Sequence, residues 1–118
     1  MSRNYMSKND ELRKGDSLLS NNKMFEAIFQ DDGNFVIYTH GKALWATGTD
    51  GSDAFRLCLQ GNCNLILYNE RNDARWSSWS GKLEANMCRL QLTDEGKLEL
   101  YREAQRIWSS AESTGKKL

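Results

Sequence analysis

The sequence predicts an all-β fold in which three antiparallel sheets surround a pseudo-three-fold axis. Three observations predict it: a hairpin-like pattern that occurs three times, a Trp after each copy, and turns rich in Gly, Asn, Asp and Ser in a chain without Pro. The length of 118 residues suits one domain with its own core. We therefore expect a single domain over residues 1–118, with the polar segments 1–10 and 111–118 loosely ordered.

The repeat is a stretch of 14 residues that occurs at 25–38, 55–68 and 88–101. The first two copies align without a gap, and the third is more divergent. Their final residues, Tyr38, Tyr68 and Tyr101, are 30 and 33 residues apart. Self-similarity of this kind indicates one structural unit that is repeated and that buries its apolar face against its neighbours.

Within each copy apolar and polar residues alternate, which is typical of a strand with one buried face. In the first copy the odd-numbered residues are assigned to the core: Phe25, Ala27, Phe29, Phe35 and Ile37. The loop 31–33 places Gln30 opposite Asn34, and Gly33 suits the left-handed conformation that such loops need. Each copy is therefore predicted to be a β-hairpin.

A further strand is expected after each hairpin, over residues 42–47, 73–78 and 105–109. Each of these strands carries one Trp, and a single hairpin is only marginally stable in water. We therefore expect Trp45, Trp76 and Trp108 to fill the centre between the sheets. Trp79 has no counterpart in the other copies and is expected to be exposed.

Polar residues recur on the solvent-facing side of the first hairpin. Two amides, a carboxylate and a phenol surround a small apolar residue there: Gln30, Asp32, Asn34, Val36 and Tyr38. These groups donate and accept the hydrogen bonds that vicinal sugar hydroxyls need. The same types recur in the second copy as Gln60, Asn62, Asn64, Ile66 and Tyr68.

The third copy differs at these positions, where it has Thr93, Glu95, Lys97, Glu99 and Tyr101. It keeps the apolar residues of the hairpin but loses the polar ones. The polar pattern is therefore not required by the fold, and its recurrence in two copies favours a carbohydrate-binding function.

The pattern Gln-x-Asp-x-Asn-x-Val-x-Tyr at 30–38 resembles the motif of the monocot, or bulb-type, mannose-binding lectins, and residues 12–20 resemble the opening of related fish skin mucus lectins. The resemblance runs from about Leu12 to Trp108. It implies a β-prism II fold and calcium-independent binding of mannose and mannose-containing glycans, with no cofactor and no metal. In this family the Gln would contact the sugar's O3, the Asp and Asn its axial O2, the Tyr its O4, and the Val its ring carbons.

Carried over by position, the resemblance implies one complete site, one altered site and one lost site. In the second copy Asn62 replaces the Asp and Ile66 the Val, and loss of the carboxylate is expected to weaken binding by about 1 kcal/mol. In the third copy only Tyr101 remains of the motif, so this site is expected to be inactive. A single shallow site is expected to bind with a dissociation constant on the order of millimolar, so useful avidity requires several sites.

The three cysteines allow at most one internal disulfide and leave one thiol. The resemblance implies a bridge between Cys63 and Cys88, which leaves Cys58 free. The bridge would close a loop of 25 residues and stabilise the fold by about 3 kcal/mol. The resemblance also implies a homodimer in which residues 105–110 pair with a partner's sheet.

The expected location is extracellular, as for a mucus-type protein of innate defence, because a stable disulfide favours an oxidising compartment. Residues 1–15 are polar and contain no visible signal peptide, so a cytoplasmic location stays open. A net charge of +0 argues against nucleic acid as a partner and against attraction to anionic lipid. Membrane insertion is not expected.

Two other functions are alternatives to carbohydrate binding. One is a β-prism scaffold with silent sugar sites that acts in protein–protein interaction. The other is a glycosidase that uses Asp31 and Asp32, but both lie on an exposed turn where nothing would raise the pKa of one carboxyl for acid catalysis. The chain is therefore not expected to be an enzyme, and no catalytic residue is assigned.

Overall fold

The computed structural model describes residues 3–118, and the predicted all-β architecture is confirmed. Within this range the strands are, in chain order, β1 (Tyr5–Ser7), β2 (Glu11–Arg13), β3 (Ser17–Leu19), β4 (Glu26–Phe29), β5 (Phe35–Thr39), β6 (Lys42–Ala46), β7 (Arg56–Leu59), β8 (Leu65–Tyr68), β9 (Ala74–Ser77), β10 (Cys88–Leu92), β11 (Leu98–Arg102), β12 (Gln105–Ser109) and β13 (Lys116–Lys117). No helix in this part of the chain has the length and apolarity required to cross a membrane.

The strands form three antiparallel sheets, which we number by the repeat copy that each contains. Sheet 1 has the order β3-β4-β5-β6, sheet 2 the order β13-β9-β8-β7-β2, and sheet 3 the order β1-β10-β11-β12. Each sheet holds one predicted hairpin and the strand that carries its Trp. The sequence repeat is therefore the structural repeat.

The register of each hairpin follows the predicted alternation. In sheet 1 Ala27 lies opposite Ile37 and Phe29 opposite Phe35, and all four side chains are fully buried. The third residue of each hairpin loop, Gly33, Cys63 or Gly96, has a positive φ of 90°, 65° or 82°. At the first of these a Cβ atom would lie 2.9 Å from the carbonyl oxygen of Ser52, so this turn requires glycine for space as well as for φ.

The three predicted central tryptophans meet on the axis between the sheets. The ring centroids of Trp45, Trp76 and Trp108 are 5.8 to 6.1 Å apart, and each pair is edge-to-face. This is a favourable arrangement for aromatic rings, whose positive edges meet negative faces. The core cluster surrounds these rings, as the alternation predicts.

The N-terminal residues contribute one edge strand to every sheet, which the sequence pattern does not predict. β1 pairs with β10, β2 with β7 and β3 with β4. The central residues of these strands, Met6, Leu12 and Leu18, are only 0%, 6% and 0% exposed. Because each short strand has a single buried residue, there is no alternation long enough to recognise.

The two ends of the chain are more ordered than expected. Strand β1 lies inside segment 1–10, and β13 lies inside segment 111–118, where Lys116 pairs with Ser77. Gly115 has a φ of +71° and lies so close to Trp76 that any Cβ would collide with the indole. Backbone pairing and contact with a central Trp therefore order the tail, while the expectation for Met1 and Ser2 lies outside the described residues.

The Cys63–Cys88 disulfide is present, with 5.3 Å between the Cα atoms, and Cys58 is the free thiol among the described residues. The bridge joins the hairpin loop of sheet 2 to β10, the first strand of the hairpin in sheet 3. Strand β12, for which exchange with a partner is expected, pairs here with β11 of its own chain.

Candidate functional site

The first site is formed on the outer face of sheet 1 by residues of β4, β5 and their loop. Hairpin register places Gln30 beside Asn34 and places Tyr38 two pairs further along the same face. The amide nitrogen Nε2 of Gln30 donates to the phenolic oxygen of Tyr38. The predicted polar residues are thus on one face, are partly exposed, and converge rather than turn inward.

Asn34 is held in one orientation by the loop that follows β6. Its amide oxygen Oδ1 accepts hydrogen bonds from the hydroxyl of Thr47 at 3.1 Å and from the backbone N–H groups of Gly48 at 3.0 Å and Thr49 at 3.1 Å. The oxygen is therefore occupied by the protein, and Nδ2 is the group that is oriented to donate to a ligand.

Asp32 lies at the rim of this site and is exposed, as predicted. Its Oδ1 accepts the backbone N–H of Asn34 at 3.0 Å, which fixes the carboxylate next to the amide. Asp32 therefore supplies an acceptor and Asn34 Nδ2 a donor, which are the two roles that a hydroxyl can pair with.

Val36 is less accessible than the sequence suggests, since only 3% of it is exposed. It forms a cross-strand pair with Ile28, and this pair lies between Gln30 and Tyr38 on the same face. The Gln–Tyr hydrogen bond therefore passes over Val36 and covers it. The apolar surface offered to a sugar ring is smaller than the strand alternation predicts.

The second site, on sheet 2, has the same framework. Gln60 Nε2 donates to the phenolic oxygen of Tyr68, and Asn64 Oδ1 accepts the hydroxyls of Ser77 at 2.8 Å and Ser78 at 3.1 Å. Asn62 Oδ1 accepts the backbone N–H of Asn64 at 3.1 Å, as Asp32 does in the first site. Replacement of Asp by Asn therefore preserves this loop hydrogen bond, removes the charge and puts a donor amide group where the second carboxylate oxygen would accept. Ile66, at the position of Val36, is 8% exposed.

A cleft of about 690 Å³ adjoins the second site and includes charged residues that the sequence pattern does not predict. The guanidinium of Arg56 lies over the ring of Tyr68, 4.8 Å from its centroid, and its Nη1 lies 3.4 Å from Glu11. The hydrogen bond from Arg13 is the main cause that lowers the pKa of Glu11, so this carboxylate is an acceptor at neutral pH. Arg56 could have been found from its outward position in the repeat, whereas Glu11 lies on the unpredicted strand β2.

The third hairpin lacks this framework. Thr93 stands where the other copies have Gln, and the hydroxyl of Tyr101 donates instead to Glu99 at 3.2 Å. Burial is the main cause that raises the pKa of this phenol. Lys97 is exposed at the Asn position, and Glu95 is exposed at the Asp position. The residues of the third copy therefore do not form the Gln–Tyr–Asn arrangement.

Among residues 3–118 no group of three or more His, Cys, Asp or Glu side chains is placed to hold a metal ion. The polar groups of both sites are neutral amides and phenols with one carboxylate or amide at the rim. Such an arrangement is suited to hydrogen bonding with a neutral, hydroxyl-rich ligand.

Comparison with known proteins places this chain and its fold in a family of lectins. No family model matches the chain. The chain is 59% identical to the B-type lectin plumieribetin of Scorpaena plumieri over 114 residues, which is 97% of this chain and 100% of that protein. It is 41% identical to a mannose-specific lectin of Narcissus pseudonarcissus over 54 residues, 45% of this chain and 50% of that protein.

Solved structures agree with this relationship. A monomeric monocot mannose-binding lectin from Gastrodia elata superposes with a TM-score of 0.82 at 28% identity, over 91% of this chain and 96% of that chain. The mannose-specific agglutinin of snowdrop, Galanthus nivalis, in complex with methyl-α-D-mannoside, gives a TM-score of 0.76 at 29% identity over 83% and 88%.

The fold and the relatives define a lectin with the β-prism II fold. The chain belongs to the monocot-type mannose-binding lectin family, also called bulb-type or B-type lectins. Lectins bind carbohydrates and are not enzymes, so the rejection of an enzymatic function is confirmed.

Proposed function

We propose that this lectin binds mannose and mannose-containing glycans directly, without calcium, through the first and second sites. The observation that carries the proposal is the pairing of Gln30 with Tyr38 beside an Asn34 amide of fixed orientation. The same arrangement is present in the second copy with Gln60, Tyr68 and Asn64, although the third copy folds without it.

In the proposed mode the sugar lies along the hairpin. Gln30 contacts O3, Asp32 and Asn34 contact the axial O2, and Tyr38 contacts O4, while the ring carbons face the remaining surface of Val36. In the second site Gln60, Asn62, Asn64 and Tyr68 take the same roles, with Ile66 beneath the ring. Because O2 is axial in mannose and equatorial in glucose, the contacts to O2 select for mannose.

Calcium has no required role in this mode, because amide and phenol groups pair with hydroxyls directly.

Mannose binding is also supported by relatives: the lectins of Narcissus and Galanthus are described as mannose-specific, and a Polygonatum cyrtonema lectin with 33% identity was crystallised with a monomannoside.

Each site is shallow and is expected to bind with a dissociation constant on the order of millimolar. We propose that avidity comes from the two sites of one chain together, and from a homodimer that presents four. Exchange of β12 between protomers is one way to form it. A sedimentation coefficient of a monomer at micromolar concentration would contradict the dimer, and the Gastrodia elata relative is described as monomeric.

We also propose that the protein acts outside the cell in innate defence. The Cys63–Cys88 bridge supports this, since structural disulfides persist in oxidising compartments. Mass spectrometry of the native protein from secretions, without reduction, would show the bridge intact if the proposal holds.

Calorimetry with methyl α-mannoside tests the central proposal. We expect saturable heat from about two sites per chain, unchanged by EDTA, and much less heat from methyl α-glucoside. Failure of methyl α-mannoside to bind at concentrations well above millimolar would overturn the proposal and favour a scaffold with silent sites.

A further inference from the structure

Trp79 occupies a backbone position that is unfavourable for a large side chain. It follows Trp76 by three residues, as Gly48 follows Trp45, and the two residues have similar positive φ values of 59° and 73°. A glycine adopts this conformation without steric cost, whereas a Trp does not. Such outliers are concentrated at functional sites, where the surrounding structure maintains them.

The indole of Trp79 is exposed, unlike the three central tryptophans. It is 66% exposed, and the ammonium of Lys116 lies 4.5 Å from the ring centroid. Its backbone N–H donates to the hydroxyl of Ser77 at 2.8 Å, and the next residue, Ser80, donates its N–H to Asn64 Oδ1 at 3.3 Å. The backbone that presents the ring is thus fixed by the same amide oxygen that organises the second site.

A cleft of about 380 Å³ lies between this ring and the second site, lined by Asn62, Asn64, Trp79, Gly81 and Lys82. The backbone of Gly81 packs against Asn62 and Asn64 in this cleft. A Cβ at this position would lie 2.9 Å from the Cβ of Asn64 and 3.0 Å from Nδ2 of Asn62, so the close packing requires glycine. Asn62 also lines the cleft at Gln60 and Tyr68, so the two clefts adjoin at this side chain.

We propose that Trp79 forms a second subsite, which binds the neighbouring sugar unit of a mannose oligosaccharide whose first unit occupies the second site. The inference rests on the proposed mannose binding and adds the ligand class: the second site takes a disaccharide or longer chain. The C–H face of a pyranose packs on the indole, while Asn62 and Lys82 supply donors for its hydroxyls. The first site has Gly48 at this position and binds a single mannose unit.

The test uses a chain in which the first site is disabled by Gln30→Ala with Tyr38→Phe, so that calorimetry reports the second site alone. We compare methyl α-mannoside with α-1,3- and α-1,6-linked mannobiose. At least one disaccharide is expected to bind roughly 3- to 10-fold more tightly, the size of an aromatic packing contact. Trp79→Gly should remove this preference and leave the affinity for methyl α-mannoside unchanged.

Trp79→Gly is chosen because glycine is native at the equivalent position of the first copy, so the variant keeps the backbone conformation. Trp79→Phe retains a ring and should retain most of the preference. As an independent readout, the disaccharide should protect Trp79 from acrylamide quenching, and this protection should be missing in Trp79→Gly.

The outcomes separate the two proposals. No binding of methyl α-mannoside by the unmodified chain overturns the proposed function. Binding of the monosaccharide with no preference for either disaccharide, or a preference that survives in Trp79→Gly, overturns the subsite alone. A Trp79→Gly variant that keeps the preference but changes the sedimentation coefficient would instead place Trp79, with the exposed Leu83 and Met87 of the same loop, at a contact between chains.

Discussion

Trp76 and Thr114 are joined by a hydrogen bond of 2.7 Å from the indole N–H to the backbone carbonyl. This bond attaches the C-terminal tail to the centre of the molecule. The indole N–H of Trp108, in contrast, is buried with no hydrogen-bond partner among the described residues. The indole N–H of Trp76 therefore contributes a hydrogen bond to the stability of the fold, whereas the indole N–H of Trp108 does not.

This difference predicts unequal effects of Trp→Phe substitutions. Trp76→Phe leaves the carbonyl of Thr114 without its donor, while Trp108→Phe removes an N–H that has no partner. We expect the loss of unfolding free energy to be larger for Trp76→Phe by about 1–3 kcal/mol. Urea denaturation of both variants measures the difference, and equal losses would contradict this account.

The repeat and its alternation were sufficient to predict the three hairpins, the central tryptophans and the grouping of Gln30, Asn34 and Tyr38. The N-terminal edge strands could not be predicted in this way, because Met6, Leu12 and Leu18 are the only buried residues of their strands. Met6 and Leu12 pair with Leu90 and Leu57, far along the chain, and local sequence carries little trace of such pairing.

The details of the sites depend on a side-chain hydrogen bond within one hairpin and on one long-range strand pairing. The spacing predicted that Gln30 and Tyr38 share a face, but the covering of Val36 follows from a hydrogen bond between their side chains. Glu11 reaches the second site only because β2 pairs with β7.

Sugar binding is expected to depend on each Tyr hydroxyl separately. Tyr38→Phe and Tyr68→Phe each remove one phenolic oxygen and keep the ring, so each should weaken one site by about 1 kcal/mol and leave the other intact. Calorimetry with methyl α-mannoside should resolve one weakened class of sites per variant. Tyr101→Phe, in the third copy, is the matched control and should bind like the unmodified protein.

Asn34 has a structural role that can be separated from binding. Asn34→Ala leaves the N–H groups of Gly48 and Thr49 without their acceptor, and it should lower the unfolding free energy by about 1–3 kcal/mol. Asn34→Asp keeps the acceptor oxygen and loses the Nδ2 donor. It should therefore be closer to the unmodified protein in urea denaturation and still be weakened in mannose binding. Equal stability of the Ala variant and the unmodified protein would argue against the anchoring role.

The disulfide should stabilise the protein mainly by restricting the unfolded chain. Replacing Cys63 and Cys88 together by Ser releases a loop of 25 residues and should cost about 3 kcal/mol of unfolding free energy. Cys58→Ser is the control, since Ser can still accept from Arg56 and donate to Glu11 as the thiol does. Alkylation without reduction should label Cys58 alone, and slowly, because burial is the main cause that raises its pKa.

The lowered pKa of Asp53 predicts that the free energy of unfolding depends on pH in the acid range. The hydrogen bond from Arg75 lowers the pKa of Asp53 from 3.8 to about 2. Because the carboxylate is favoured more in the folded protein than in the unfolded chain, its contribution is present above about pH 4 and is lost as the pH falls through about 2. The stability difference between the unmodified protein and Asp53→Asn should therefore shrink over this range in a pH series of urea titrations.

The order in which the N-terminal strands pair with their sheets has a consequence for folding during translation. β3 pairs with the first repeat, β2 with the second and β1 with the third, so the first of these three strands to be synthesised is the last to find its partner. Strand β1 (Tyr5–Ser7) cannot pair until its partner β10 (Cys88–Leu92) has been synthesised. A nascent chain of this lectin therefore exposes an unpaired leading strand for most of its translation, and long-range pairing of that kind delays completion of the native state until the whole chain is available.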